Sequence, residues 1–289
     1  MSSITKTVAI VGAEHVESLR AWQFLRDDPK VEFLLIGNKI EITNKAEALG
    51  ITLKGATCID TKDDIETCLI AAHMAKEGRV QVIMKGAVHT ADFLRAILHK
   101  DFELLPKGAL LSHVAQINLP WYHKPLLITD AAVSILPNID QKVQIIINAI
   151  SVAHTLGVDR PKVALVSPVE TINPRIISTT DASQLMFLQK NTEIFKAAVV
   201  EGPFGLDVAI SKHAAQVKNL KGEVPGDADI LMFGNLDAAN ATYKAFLSAP
   251  GVTSAGIVVG ATIPIVLTSR SDAMAVRVSS LKLAVQVCG

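Results

Sequence analysis

Near its C-terminus the chain reads Ala261-Thr-Ile-Pro-Ile-Val-Leu-Thr-Ser-Arg-Ser-Asp272. An apolar, strand-like run ends in Thr268-Ser269-Arg270, and a helix-period tail follows at once. Two hydroxyls and a guanidinium are therefore aimed at the start of a helix. Backbone N–H groups there lack intrahelical partners and favour an anion. Arginine's planar fork matches phosphate bidentately, in a way that lysine cannot. The chemistry these residues support is the binding of a phosphate or a phosphoryl group. The same residues also read as a Ser/Thr N-cap beside a surface arginine.

A second segment, Lys85-Gly-Ala-Val-His-Thr-Ala-Asp-Phe-Leu-Arg95, follows the strand-like run Val80–Met84. It begins at a strand's carboxyl end, the ligand side of an open α/β sheet. Gly86 allows close backbone approach, and His89, Thr90 and the next helix's N–H groups can face a ligand. The bland alternative is a strand–turn–helix with a Thr90 cap and an Asp92–Arg95 surface pair. Thr129-Asp130, Ser167-Pro168-Val169-Glu170-Thr171 and Glu201-Gly202-Pro203 each follow a strand-like run in the same way. Asp130 reads as a helix cap, a cleft-facing polar group, or both. Several such segments on one sheet edge point to a cleft.

Other chemistries find no support. The histidines show no HxxxH or HExxH spacing, so no metal site is expected. No Gly-x-Ser-x-Gly elbow and no P-loop are present, and Val11-Gly12-Ala13 does not continue into Gly-x-Gly-x-x-Gly, which disfavours a nicotinamide cofactor. Three cysteines, Cys58, Cys68 and Cys288, make neither a disulfide framework nor a zinc site and read as ordinary thiols.

The elements that must position these residues alternate along the chain. Val8–Val11, Val31–Ile36, Val80–Met84, Leu110–Ile117 and Leu126–Thr129 read as strands. Helix-period segments run from Val16 to Leu25, from Lys45 to Leu49, over Ile65–Glu77 and over Ala91–Leu98. After Pro137 the pattern restarts. Helices are expected over Asp140–Leu156, Asp181–Lys190, Ala238–Leu247 and Asp272–Val287. Strands are expected at Lys162–Val166, Ala197–Val200, Ala228–Phe233 and Ala255–Val259. The alternation predicts an α/β fold with a mostly parallel sheet. A boundary at Pro137-Asn138, with the last helix returning to the first domain, gives residues 1–137 plus 268–289 and residues 138–267. That arrangement puts Ser269-Arg270 near a hinge, where clefts form.

The 289 residues are 49% hydrophobic and carry 28 basic and 28 acidic side chains, so no broad nucleic-acid footprint is expected. Positive mean hydropathy, +0.36, fits buried parallel strands. Val252–Leu267 is interrupted by Ser, Thr, Gly and Pro and falls short of a membrane span. No secretory leader is read at Met1-Ser-Ser-Ile-Thr-Lys.

Taken together, Lys85–Arg95, Leu111-Ser-His113, Ile128–Ala132, Asn138–Lys142, Lys162–Ser167 with Val169–Thr171, Glu201–Pro203 with Asp207, Gly226–Leu231, Tyr243-Lys244 and Pro264–Arg270 resemble the phosphate acetyl/butyryltransferase family. Lys-Gly-Ala and Val-Leu-Thr-Ser-Arg are more similar to the butyryl branch. The resemblance implies acyl-CoA + phosphate ⇌ acyl phosphate + CoA. It implies a phosphotransacetylase fold of the isocitrate-dehydrogenase type: two α/β domains with a cleft between them. Homodimers or higher oligomers and a cytoplasmic setting go with it. No bound metal or prosthetic group is implied, and CoA is a substrate. Ser269 and Arg270 then stabilise the phosphate, Arg95 is a second phosphate-binding arginine, and Lys85, Gly86, His89, Thr90, Asp130 and Thr268 line the substrates. The carboxylate proposed as base in the acetyl branch falls at about Val276, which cannot take a proton. Asp272 is the substitute, its other reading being a helix-start aspartate stabilised by the dipole.

Overall fold

The computed structural model describes residues 5–268 and 272–288. Its contacts divide the chain into two compact units, residues 1–109 with 255–289 and residues 110–254. In chain order the first segment forms β1 (Lys6–Val11), α1 (Val16–Leu25), β2 (Val31–Gly37), α2 (Lys39–Ala48), β3 (Thr57–Asp60), α3 (Asp64–Lys76), β4 (Val82–Lys85) and α4 (Thr90–Ile97). The middle segment forms β5 (Ser112–Asn118), β6 (Leu126–Thr129), α5 (Ile139–Thr155), β7 (Lys162–Val166), α6 (Ile177–Asn191), β8 (Val199–Phe204), α7 (Leu206–Ile210), α8 (Lys212–Val217), β9 (Ile230–Phe233) and α9 (Leu236–Leu247). The chain closes with β10 (Thr253–Val259), β11 (Ile265–Val266) and α10 (Met274–Val287).

In the first unit the strand order is β3-β2-β1-β4-β11-β10. The first five are mutually parallel, and β10 runs antiparallel to β11. Val8, Ala9, Ile10 and Val11 are wholly buried. They read as an unbroken apolar run because helices cover both faces of a parallel sheet. The order reverses at β1, with β2 on one side and β4 on the other. In the second unit the order is β5-β6-β9-β7-β8, parallel except for the β5–β6 pair. Its reversal lies at β7, between β9 and β8.

These pairings move the domain boundaries from those read in the sequence. β5 and β6 pair with each other, and β6 pairs with β9, so residues 110–137 belong to the second unit. β11 pairs with β4, so the chain rejoins the first unit before residue 268. β8 also continues through Glu201-Gly202-Pro203, which is strand interior rather than a strand-end turn. Proline is tolerated there because β8 is an edge strand. Helix α2 starts at Lys39 rather than near Lys45 because the Asn38 side chain accepts the Glu41 N–H.

The amino ends of the second unit's strands are pinned by charge. Asp227 accepts from Lys162, Lys124 and His123, and Lys124 also reaches Asp229 at 2.7 Å. Asp229 in turn accepts the Lys162 backbone N–H at 2.8 Å. Burial alone would raise the Asp227 pKa, but the three donors outweigh it and hold the carboxyl far below the ordinary carboxylate range. Its contribution to stability is therefore complete above about pH 4 and is lost as pH falls towards the depressed value. Asp227→Asn should destabilise the protein by about 1.5–3 kcal/mol at pH 7 in urea unfolding, with the gap narrowing below pH 4. A gap that persists unchanged in acid would separate the effect from ionisation.

Candidate active site

Parallel pairing brings three strand ends to one edge of the first unit. Val11 registers with Lys85, and Val266 with Met84. The residues that follow β1, β4 and β11 therefore emerge side by side, at the point where strand order reverses. That is where an open α/β sheet holds its ligand.

Two of the emerging loops cross at backbone distance. Gly86 N donates to Val11 O at 2.7 Å, and Ala87 N donates to Gly12 O at 2.8 Å. A Cβ on Gly86 would lie 2.1 Å from Gly12 O, and one on Gly12 would lie 2.7 Å from Ala87 N. Gly12 also has φ +76°, which disfavours any other residue. The close approach expected of Gly86 is thus to backbone, and it sets the course of the Lys85 loop.

The helices that follow these strands present open N-termini. Their N-cap residues, His15 for α1, His89 for α4 and Ala273 for α10, make no side-chain capping bond. By contrast Asn38, Asp63, Asn138 and Asn235 cap α2, α3, α5 and α9. Helix N-termini without side-chain caps that converge on one edge favour an anion.

Of the residues singled out in the sequence, the structure gathers Lys85, Gly86, His89, Thr90 and Thr268 at this edge. Lys85 is half-buried at the end of β4, with Nζ 3.3 Å from Gly86 O. His89 and Thr90 are exposed at the start of α4. Thr90 is a helical residue there, and the N-cap is His89. Arg95 sits in the last turn of α4, 71% exposed and paired with Asp92 at 2.6 Å. Asp272 precedes the Ala273 N-cap, so α10 starts two residues later than expected. Ser269 and Arg270 lie outside the described residues. Asp130 belongs to the other unit, and its carboxylate is committed to its own loop. Oδ1 accepts the N–H groups of Ala132 and Val133, and Oδ2 accepts that of Ser134, each at 3.0 Å. At 3% exposure it holds residues 130–134 in place rather than facing a ligand.

Three residues at the edge were not read from the sequence. Arg277, three residues into α10, is 3% exposed and donates to Thr268 Oγ1 at 2.6 Å. His15 is pushed below its ordinary pKa by burial first, then by the charge of Arg277, with Lys45 and Lys85 adding to it against Glu17. That pattern puts His15 within electrostatic reach of both Arg277 and Lys85. Glu14 is raised, chiefly by burial, and its Oε2 has no hydrogen-bond partner among the described residues. It lies against Gly37 on the β2 side. Charged residues directly after a buried strand were the available signal for Glu14 and His15. For Arg277 it was an arginine within the apolar spacing of Leu281 and Ala284.

Among the described residues no group of three or more His, Cys, Asp and Glu could hold a metal ion. No helix among them is long and apolar enough to cross a membrane.

A family model for phosphate acetyl/butaryl transferase matches residues 65–285. The chain belongs to that family. It is 38% identical over 283 residues to a phosphate butyryltransferase of Clostridium beijerinckii, covering 98% of this chain and 93% of the relative. It is 33% identical over 278 residues to a phosphate acetyltransferase of Thermotoga maritima, covering 96% and 92%. The crystal structure of a branched-chain phosphotransacylase from Enterococcus faecalis V583 superposes with a TM-score of 0.87 at 30% identity, covering 98% of this chain and 99% of that one. The fold is therefore the phosphotransacetylase fold expected from the sequence.

If Arg277 faces His15, Arg277→Met should raise the His15 pKa, read by NMR titration of its imidazole. An unmoved or lowered value would separate the two groups.

Proposed function

We propose that the protein exchanges a short acyl group between coenzyme A and inorganic phosphate: acyl-CoA + phosphate ⇌ acyl phosphate + CoA. The reading is carried by the strand-end edge of β1, β4 and β11, where Lys85, Arg277 and three helix N-termini without side-chain caps favour an anion, in a chain of this family. Ser269, Arg270, Thr268 and Lys85 hold the phosphate, with Arg95 released from Asp92 to join them. Gly86, His89 and Thr90 form the neighbouring wall.

In the thioester-consuming direction a phosphate oxygen attacks the carbonyl carbon, the C–S bond breaks, and the CoA sulfur leaves as thiolate and takes a proton. In reverse the thiol gives its proton to a base, attacks the acyl carbon and expels phosphate. Cations and N–H dipoles stabilise the charge that develops on phosphate. Holding both reactants together supplies up to about 7–11 kcal/mol. A thiol of pKa about 8.5 benefits from a nearby base, and Asp272 is the carboxylate beside Ser269-Arg270. The reaction needs no bound metal or prosthetic group.

The acyl group is butyryl or a branched short chain. Identity to a butyryltransferase and likeness to a branched-chain phosphotransacylase support that choice. A cytoplasmic homodimer fits three free cysteines and exposed apolar side chains such as Phe24 and Phe187, 69% and 65% exposed.

Phosphate-dependent release of free CoA, followed with a thiol reagent, should occur with acetyl-, butyryl- and isovaleryl-CoA and be fastest with the longer two. No phosphate-dependent release from any of them would sink the reading. Asp272→Asn should lower kcat by roughly 100-fold in the direction that forms thioester, where the CoA thiol gives up its proton, and change the pH profile of that rate. A wild-type profile would place the base elsewhere.

A further inference from the structure

At the carboxyl end of β1 the chain turns through Glu14 and His15 into α1. Glu14 carries its carboxylate towards β2, against Gly37. His15 stands among the cations of the proposed phosphate edge. Arg277 on α10, Lys45 on α2 and Lys85 at the end of β4 all act on its ring, opposed by Glu17 on its own helix. β1 and β11 flank β4, and α1 packs against α10, so the two helix starts stand together beside Lys85.

The His15 ring is half-buried and makes no hydrogen bond, ion pair or ring contact among the described residues. That is unusual for an imidazole held for structure, which ordinarily pairs at least one ring nitrogen. Burial first, and then the three cations, disfavour its charged form. One turn further into α1, Ser18 is 1% exposed and its hydroxyl has no partner. That hydroxyl lies 2.9 Å from where a Cβ on Gly86 would be, next to the segment that carries Lys85. The first turn of α1 thus holds two polar side chains without partners among the described residues, whereas α2, α3, α5 and α9 begin with satisfied caps. An anion at the edge reverses the situation of His15. It offsets the cations, offers an oxygen to the ring and favours imidazolium.

The reaction has a use for that change. Near neutral pH phosphate is a mixture of monoanion and dianion, and the dianion is the better nucleophile. We propose that His15 is a catalytic residue that contacts the bound phosphate and takes the proton of its monoanion, so that the dianion attacks the thioester beside an imidazolium. The assignment rests on the acyl-transfer reading above. The proton passes from a phosphate oxygen to a ring nitrogen. A phosphate oxygen then bonds to the acyl carbon, the C–S bond breaks, and sulfur leaves as thiolate. One proton is lost by phosphate and one is gained by sulfur. In reverse the imidazolium returns its proton to the departing phosphate. His15 serves the phosphate end of the reaction, and Asp272 the sulfur end.

NMR titration of the His15 imidazole with and without inorganic phosphate, at ionic strength matched with chloride, reads the contact without turnover. Phosphate should raise the His15 pKa by about 1–3 pH units, the effect of an opposite charge within a few ångströms. His154, exposed on α5, should not move. In turnover, kcat/KM for phosphate should fall towards alkaline pH as phosphate in solution loses the proton that His15 must receive. His15→Gln keeps a hydrogen-bonding side chain but no base. It should lower kcat/KM for phosphate roughly 100-fold and abolish the alkaline fall, leaving the KM for butyryl-CoA little changed. A His15 pKa that ignores phosphate, or a variant that keeps the wild-type pH profile, would overturn the assignment while CoA release goes on. A raised pKa in a protein that releases CoA from no thioester would uphold the phosphate contact and defeat the acyl-transfer reading, and the proton step with it.

Discussion

The first unit depends on one place where two backbones touch. Gly12 and Gly86 bring the loops after β1 and β4 within hydrogen-bond range, leaving no room for a side chain on either. This close approach fixes where the chain leaves β4, and with it Lys85 and the open start of α4. A packed interior is bistable rather than softly deformable, so a bulky group at the crossing would displace the loop outright. Arg277 adds the third strand end, because its buried guanidinium ties Thr268 to α10. The anion-binding character of the edge follows from this arrangement of loops and helix starts more than from any single residue.

Both units divide their labour in the same way. At the reversal of strand order the helices α1, α4 and α6 start without a side-chain cap, although Asn235 caps α9 after β9. Amino ends are closed by saturated networks, as where Lys124 and Lys162 meet Asp227 and Asp229. Saturated polar clusters of this kind hold register. Glu170 illustrates the boundary between the two. A hydrogen bond from Lys218 lowers its pKa and ties it to the protein, although it follows β7 closely in sequence.

Much of this architecture is legible in the sequence, because long apolar runs and helical periods report burial directly. Thr57–Asp60 escapes because β3 is a short, polar edge strand with half-exposed residues. Helices α7 and α8 escape because each is only a turn or two long, joined at Ser211. The domain boundaries escape because alternation of elements does not reveal pairing partners, and β5 and β6 look like a continuation of the first sheet. At the site, Lys85, Gly86 and Thr268 follow from the rule that ligands meet strand ends. Asp130 shows its weakness: a carboxylate after a strand can equally be the anchor of its own loop. Arg277 was hidden in a helix whose spacing reads as apolar.

In the proposed reaction the edge binds and polarises, and the free thiols do not compete for a nucleophile's role. Burial pushes Cys58 and Cys288 up and Cys68 to about 12. Thiols so disposed are poor nucleophiles at neutral pH. In the proposed reaction the acyl group therefore passes directly between sulfur and phosphate, with both substrates bound at once. The decisive measurement is incorporation of ³²P-labelled phosphate into unlabelled butyryl phosphate. Direct transfer predicts no incorporation without CoA and rapid incorporation once CoA is added. Incorporation in the absence of CoA would reveal an acyl-enzyme and contradict it.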